Sequence, residues 1–201
     1  MTARAGDNPF RVDRLHELDY WPQGTTWDAM LDRLRAMRFR GAIVGPHGSG
    51  KTTLLHALVP RLSAIGLRPR LLFRNRDGSE GAYGEPWRET LATLDGGDVL
   101  LVDGYGHLFP LARLRLLRRS RAAAGLVVTC HGPGLLPTWT TTATSPALLA
   151  ELVEHLAGAP DPDAAGRHRR HAGNLRAALR ELYDTCGHAG SEASPASRRA
   201  G

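Results

Sequence analysis

The chain has 201 residues, of which 42% are hydrophobic; this suits one domain with a buried core and excludes a wholly disordered chain. Its 26 basic side chains outnumber 20 acidic ones for a formal charge of +6, yet 25 of the 26 are arginine and Lys51 is the single lysine. Arginine at nearly every basic position is what a GC-rich composition writes, so the charge says little about partners, whereas one retained lysine marks a place that needs a compact ammonium.

In chain order, residues 1–25 read as an N-terminal arm. Residues 1–10 carry no apolar run of leader type, and no later stretch approaches a bilayer span, so a cytoplasmic location without a membrane is expected. Cys130 and Cys186 are too few for a disulfide framework. Tyr20 and Trp21 either face a nucleotide base or anchor the arm. Thr26 is the expected N-cap of a helix to residue 37, with Trp27, Met30, Leu31 and Leu34 as its apolar stripe. Residues 40–44 form a short buried strand, followed by Gly45-Pro46-His47-Gly48-Ser49-Gly50-Lys51-Thr52 and a helix over 52–58. Pro60 is expected to kink or shorten that helix near Leu58. Strands are predicted over 70–73, 98–103 and 125–130, and helices over 86–91, 110–124, 146–156 and 173–183. Residues 138–142 read equally as a strand or a threonine-rich loop. Residues 158–162 are a hinge-like break, and 187–201 a disordered tail.

Two of these segments carry chemistry. The first satisfies G-x-x-x-x-G-K-[ST] between a strand and a helix: its glycines let successive N–H groups point at phosphate oxygens, and the helix adds its positive N-terminal end. Lys51 would reach the β- and γ-phosphates, Thr52 would coordinate Mg2+, and Thr53 completes the nucleotide-binding set with Gly45, Pro46, His47, Gly48, Ser49 and Gly50. The second, Asp98-Val99-Leu100-Leu101-Val102-Asp103, is a strand buried on both faces that ends in a carboxylate at its C-terminal edge, the form of a Walker B strand. Asp103 is therefore the second Mg2+ candidate; an ordinary Asp turn is the alternative.

With these motifs in alternating strand–helix order, the chain resembles a P-loop NTPase of the additional-strand branch, which includes AAA-type and ABC-type ATPases, over residues 26–185. The resemblance implies an α/β fold, a three-layer sandwich with a mainly parallel sheet and a small C-terminal helical lid: a nucleotide-binding core over 26–157, the lid over 158–186. It implies ATP and Mg2+ as ligands and Lys51 in catalysis. Thr129 and His131, at the end of the 125–130 strand, become γ-phosphate sensors, against a plain capped strand end. Arg176 becomes a sensor arginine reaching from the lid, against an ordinary exposed arginine.

One departure bears on activity. That branch usually follows the Walker B aspartate with a glutamate that polarises water, and here Gly104 follows Asp103. His107, Glu80 and Glu85 are substitutes without a placement that spacing can supply. The expectation is tight Mg·ATP binding with slow or partner-stimulated hydrolysis that couples nucleotide state to a partner. A P-loop kinase for a small acceptor and a non-hydrolysing, nucleotide-gated interaction module are the alternatives. Arg113, Arg115, Arg118, Arg119 and Arg121 crowd one helix opposite a stripe of Leu111, Leu114 and Leu117, and residues 167–171 form a second basic cluster. Non-specific nucleic-acid contact is open but not favoured, since no aromatics interleave with the arginines. A protein partner or a homo-oligomer is left open.

Overall fold

The computed structural model describes residues 8–10, 20–75, 77, 79–80 and 84–191, with side chains to residue 186. Most of the expected arm, part of the loop over 78–84 and residues 192–201 of the expected tail lie outside the described residues.

Two uninterrupted apolar runs form the centre of a sheet. Every residue of β3 (Asp98–Asp103) and β4 (Gly125–Cys130) is buried, as strands covered by helices on both faces require. With β1 (Arg40–Val44), β2 (Arg68–Phe73) and β5 (Thr138–Thr141) they make a five-stranded, all-parallel sheet in the order β2-β3-β4-β1-β5. In register, Leu72 lies opposite Val102, Leu101 opposite Val127 and Ile43 opposite Thr129. The edge strands β2 and β5 are only partly buried.

Strand alternation sorts the inward-facing residues into two cores, and these define three layers. Ala42, Val44, Leu100, Val102, Leu126 and Val128 face α3 (Trp87–Ala92) and α4 (Pro110–Arg119). Ile43, Val99, Leu101 and Val127 face α1 (Trp27–Ala36) and α2 (Lys51–Ala64). Thr26 caps α1 as expected, its hydroxyl accepting from the Ala29 N–H at 3.2 Å. Fully buried Trp139 of β5 donates its indole N–H to the Met30 carbonyl at 3.0 Å, which ties the sheet edge to α1.

Three local expectations change and one open alternative is decided. Pro60 does not end its helix: α2 runs on to Ala64, because fully buried Leu58 and Leu62 on either side outweigh one forfeited backbone hydrogen bond. The 110–124 helix stops at Arg119 and continues as a 3-10 turn over Ser120–Ala122. On α4 the buried position is Leu116; of the expected stripe, Leu117 packs against the core, while Leu111 and Leu114 are 57% and 41% exposed. Residues 138–141 are strand rather than loop.

The chain divides into two compact units, one of residues 19–143 and one of residues 1–18 with 144–201. Within the described part of the second, α5 (Pro146–Ala157), α6 (Ala164–Arg170) and α7 (Leu175–Ser191) share a core of Leu149, Val153, Leu156, Ala164, Leu175, Ala178, Leu179 and Leu182, joined by Phe10. In this division α5 falls with the helical unit, whose core its buried face joins. Ser145 caps α5, and the expected break begins at its C-cap, Gly158. Residues 187–191, expected in the tail, continue α7. Among the described residues no helix is long and apolar enough to cross a membrane.

Three members of the second basic cluster pair with carboxylates inside this helical unit, and Arg169 is exposed. Arg167 donates to Asp161 and Glu181, Arg170 to Asp163 and Glu181, and His171 pairs with the other Glu181 oxygen at 2.5 Å. Hydrogen bonds from Arg170 and then His171 hold the Glu181 carboxyl at about 2, below its ordinary 4.5. A depressed carboxyl stabilises the folded state above pH 4.5 and loses that contribution as pH falls through about 2. Glu181→Gln therefore melts below wild type at neutral pH, and the gap in thermal midpoint closes between pH 4.5 and pH 2. Trp139→Ala costs about 3–5 kcal/mol in urea unfolding, through the cavity it leaves.

Candidate functional site

In a parallel sheet with helical crossovers the C-terminal strand edge is where loops converge. Here Val44, Asp103 and Cys130 end their strands at that edge. The Gly45–Thr52 segment leaves β1 and turns into α2. Gly45 is fixed by close approach: a Cβ there would stand 2.2 Å from the Thr142 hydroxyl and 2.5 Å from the Thr142 carbonyl. Buried Ser49 braces the loop, donating to the Pro46 carbonyl at 2.8 Å and pairing with the Thr142 hydroxyl at 2.6 Å. Thr142, a single threonine in a threonine-rich stretch, carries no motif that would single it out in the sequence.

The Lys51 ammonium, 9% exposed, donates to the Gly45 carbonyl at 2.8 Å and the Pro46 carbonyl at 2.6 Å. Pro46 and His47 are exposed on the loop, Gly48 and Gly50 partly so, and Thr53 is half-buried beside Thr52. Tyr20 approaches the loop as well, since a Cβ on Gly50 would lie 3.8 Å from its ring. Its neighbour in the arm, Trp21, is half-buried.

Thr52 and Asp103 meet directly. The Thr52 hydroxyl donates to Asp103 Oδ2 at 2.8 Å. The other carboxylate oxygen, Oδ1, accepts from the Thr129 hydroxyl at 2.5 Å and the Gly104 N–H at 3.0 Å. Thr129, 3% exposed, thus acts on the carboxylate and holds it in one orientation. The backbone N–H of Arg74 donates to the Asp103 carbonyl at 3.0 Å; the Arg74 Nε and Tyr105 hydroxyl are buried without a hydrogen-bond partner. Burial raises the Tyr105 phenol above its ordinary 10.0.

His131 also reaches the loop. Its Nδ1 lies 3.3 Å from the Gly45 carbonyl, and its ring packs against that of His47 at a 40° tilt with centroids 3.9 Å apart. His107, in the 3-10 turn Tyr105–His107, stands 6.2 Å from the His131 centroid. Desolvation of His131, then the charges of Lys51 and His47, lowers its pKa from the ordinary 6.5. The substitute carboxylates are engaged elsewhere: Glu85 accepts from Arg70 at 2.6 Å and Thr90 at 3.2 Å, and Glu80 from the Trp87 N–H at 3.4 Å. Arg176 is exposed on the first turn of α7, in the helical unit.

Gly104 has a physical reason. Its φ of 77° is left-handed, and a Cβ would stand 2.1 Å from the Arg74 carbonyl oxygen. No side chain fits after Asp103 on this backbone.

No protein-family model matches the chain, and no curated protein matches it. Among solved structures the chain is similar to the Aeropyrum pernix Orc1 protein in complex with DNA, at 18% identity and a TM-score of 0.62. The match covers 93% of this chain but 64% of that one, so the chain spans less than two thirds of its structural neighbour. That similarity is one of fold: an α/β, P-loop NTPase-like architecture with C-terminal helices.

Replacing Gly104 tests the turn. Gly104→Ala and Gly104→Glu each destabilise by about 2 kcal/mol or more, measured by chemical unfolding, because both meet the Arg74 carbonyl and the left-handed backbone.

Proposed function

We propose that this protein binds Mg·ATP at the Gly45–Thr52 loop and Asp103, hydrolyses it slowly, and couples nucleotide state to a partner. The observation that carries the reading is the 2.8 Å contact between Thr52 and Asp103, which pairs a hydroxyl with a carboxylate at the start of the helix that follows the lysine loop. Strand order supports the additional-strand branch, since β4 lies between the strand that feeds the loop and the strand that ends in Asp103.

The residues fit a magnesium ion, which takes hard oxygen donors and few protein ligands: Thr52 and Asp103 would hold it, with Thr129 orienting the carboxylate. When bound, the metal neutralises charge on the phosphate oxygens. Lys51 exchanges its two carbonyl partners for phosphate oxygens, a trade of neutral acceptors for charged ones. Loop N–H groups and the N-terminus of α2 add to the anion's hold. Tyr20, close to Gly50, is the candidate for the base side.

Slow turnover follows from the Gly104 turn, which leaves no room for a water-orienting carboxylate beside Asp103. The same turn supports the second reading, a nucleotide-gated module that scarcely hydrolyses. The partner surface proposed is α4 and the residue before it, where Phe109 at 77% and Leu111 at 57% exposure sit among Arg115 and Arg118. Exposed apolar side chains of this size favour a protein partner over a nucleic-acid backbone. The DNA of the Orc1 complex bears on this chain through the exposed arginines of α4, while Arg167, Arg170 and His171 of the 167–171 cluster are paired with internal carboxylates.

Calorimetry and a phosphate-release assay test the reading. Wild type binds Mg·ATP, turns over well below about 1 s⁻¹, and loses about 100-fold or more in affinity in Lys51→Ala, or about 2.7 kcal/mol. Partner-free turnover above about 10 s⁻¹ counts against a site that lacks a water-orienting group. A phosphorylated small acceptor in place of free phosphate identifies a kinase.

A further inference from the structure

The histidines at the loop do more than cap strand ends. His47 stands inside the phosphate loop, His131 packs against it, and His107 closes the group from the turn after β3. His131 Nδ1 and the Lys51 ammonium share one acceptor, the Gly45 carbonyl, at 3.3 and 2.8 Å. A carbonyl oxygen only accepts, so Nδ1 carries a proton and Nε2 is the nitrogen left to titrate. Among the described residues no three His, Cys, Asp or Glu side chains are placed to hold a metal ion, so the group does not read as a cation site.

Resting on the Mg·ATP reading above, we propose that His47, His131 and His107 form the wall of the site that meets the terminal phosphate, and that His131 takes up a proton when the phosphate binds. Two imidazoles 3.9 Å apart beside an ammonium repel one another when charged, which keeps the free site short of its full complement of protons. The groups that act on His131 are Lys51 and His47 from the loop and α2, His107 from the turn, and the Gly45 carbonyl. A terminal phosphate with two negative charges reverses the balance and favours the imidazolium. A glutamate beside Asp103 would repel the same phosphate, and the Gly104 turn excludes it.

The sign follows from linkage. A site that gains a proton on binding its ligand binds more tightly as pH falls, by up to about tenfold per pH unit per proton. The gain spans the interval between the raised pKa of the bound state and that of the free protein, which for His131 lies below 6.5, and levels off beneath it.

The experiment is titration calorimetry with the β,γ-imido analogue of ATP and Mg2+, on wild type and the His47→Gln/His131→Gln double variant, between pH 8 and pH 5.5. A series of buffers of different ionisation enthalpy counts the protons exchanged. The phosphate's own titration is common to both proteins and cancels in their ratio. Both substituted rings are exposed, and circular dichroism checks that the fold is retained. The expected result is net uptake of about half a proton or more by wild type relative to the variant near pH 6.5, with affinity rising about fivefold to tenfold more than the variant's as pH falls from 8 to 6. Mg·ADP, which lacks the terminal group, shows less than half of that difference. Parallel pH profiles in the two proteins, or an equal effect with ADP, overturn the histidine wall while leaving the nucleotide site standing. Absence of analogue binding by wild type at every pH overturns the Mg·ATP reading, and the wall with it.

Discussion

The site depends on one carboxylate held from several sides. Asp103 ends β3, while the loop that carries Lys51 and Thr52 leaves β1, and β4 lies between them. Two strand spacings separate those origins, roughly 10 Å. The gap is bridged by Thr52 reaching one carboxylate oxygen, and by Thr129, at the end of the intervening strand, reaching the other. The order of the strands is thus a condition of the site. A sheet that paired β1 directly with β3 would leave Thr129 with no place between loop and carboxylate.

The same edge accounts for what stands near the carboxylate and what does not. The chain leaves Asp103 through a left-handed glycine pressed against the Arg74 carbonyl, so backbone packing excludes a second carboxylate at that position. Imidazoles occupy the neighbourhood instead, contributed by the loop, by the end of β4 and by the turn after β3. An aromatic, titratable wall beside a lysine favours anions of high charge and is sensitive to acid, whereas a glutamate wall would orient water at the cost of repelling phosphate. Under the Mg·ATP proposal the trade leans towards binding and away from turnover.

Much of the fold was legible because its signals are local. The runs at 98–103 and 125–130 are too apolar to be anything but buried strands, and both are buried throughout. The Lys51 motif names its own chemistry by residue type and spacing. Other features resisted reading because they are decided by partners distant in sequence. Whether Leu111 or Leu116 faces the core depends on where α4 docks on the sheet, and helical spacing allows either. Pro60 reads as a stop until the buried leucines on either side are seen to hold the helix. Arg167 and Arg170 read as a basic patch until Asp161, Asp163 and Glu181 come round to meet them.

By itself the sequence determined that this chain is an alternating α/β protein with a lysine loop between a strand and a helix, and an aspartate at the end of a buried strand. These are consequences of hydrophobic period, glycine placement and one retained lysine, all written within a few residues of one another. Only the tertiary structure decided that Thr129 serves Asp103, that Thr142 shapes the loop, that His47 packs against His131, and that residue 104 has to be glycine. Each of those is a contact across the strand edge between segments that chain order keeps apart. Strand order brings them together, and no local pattern encodes it.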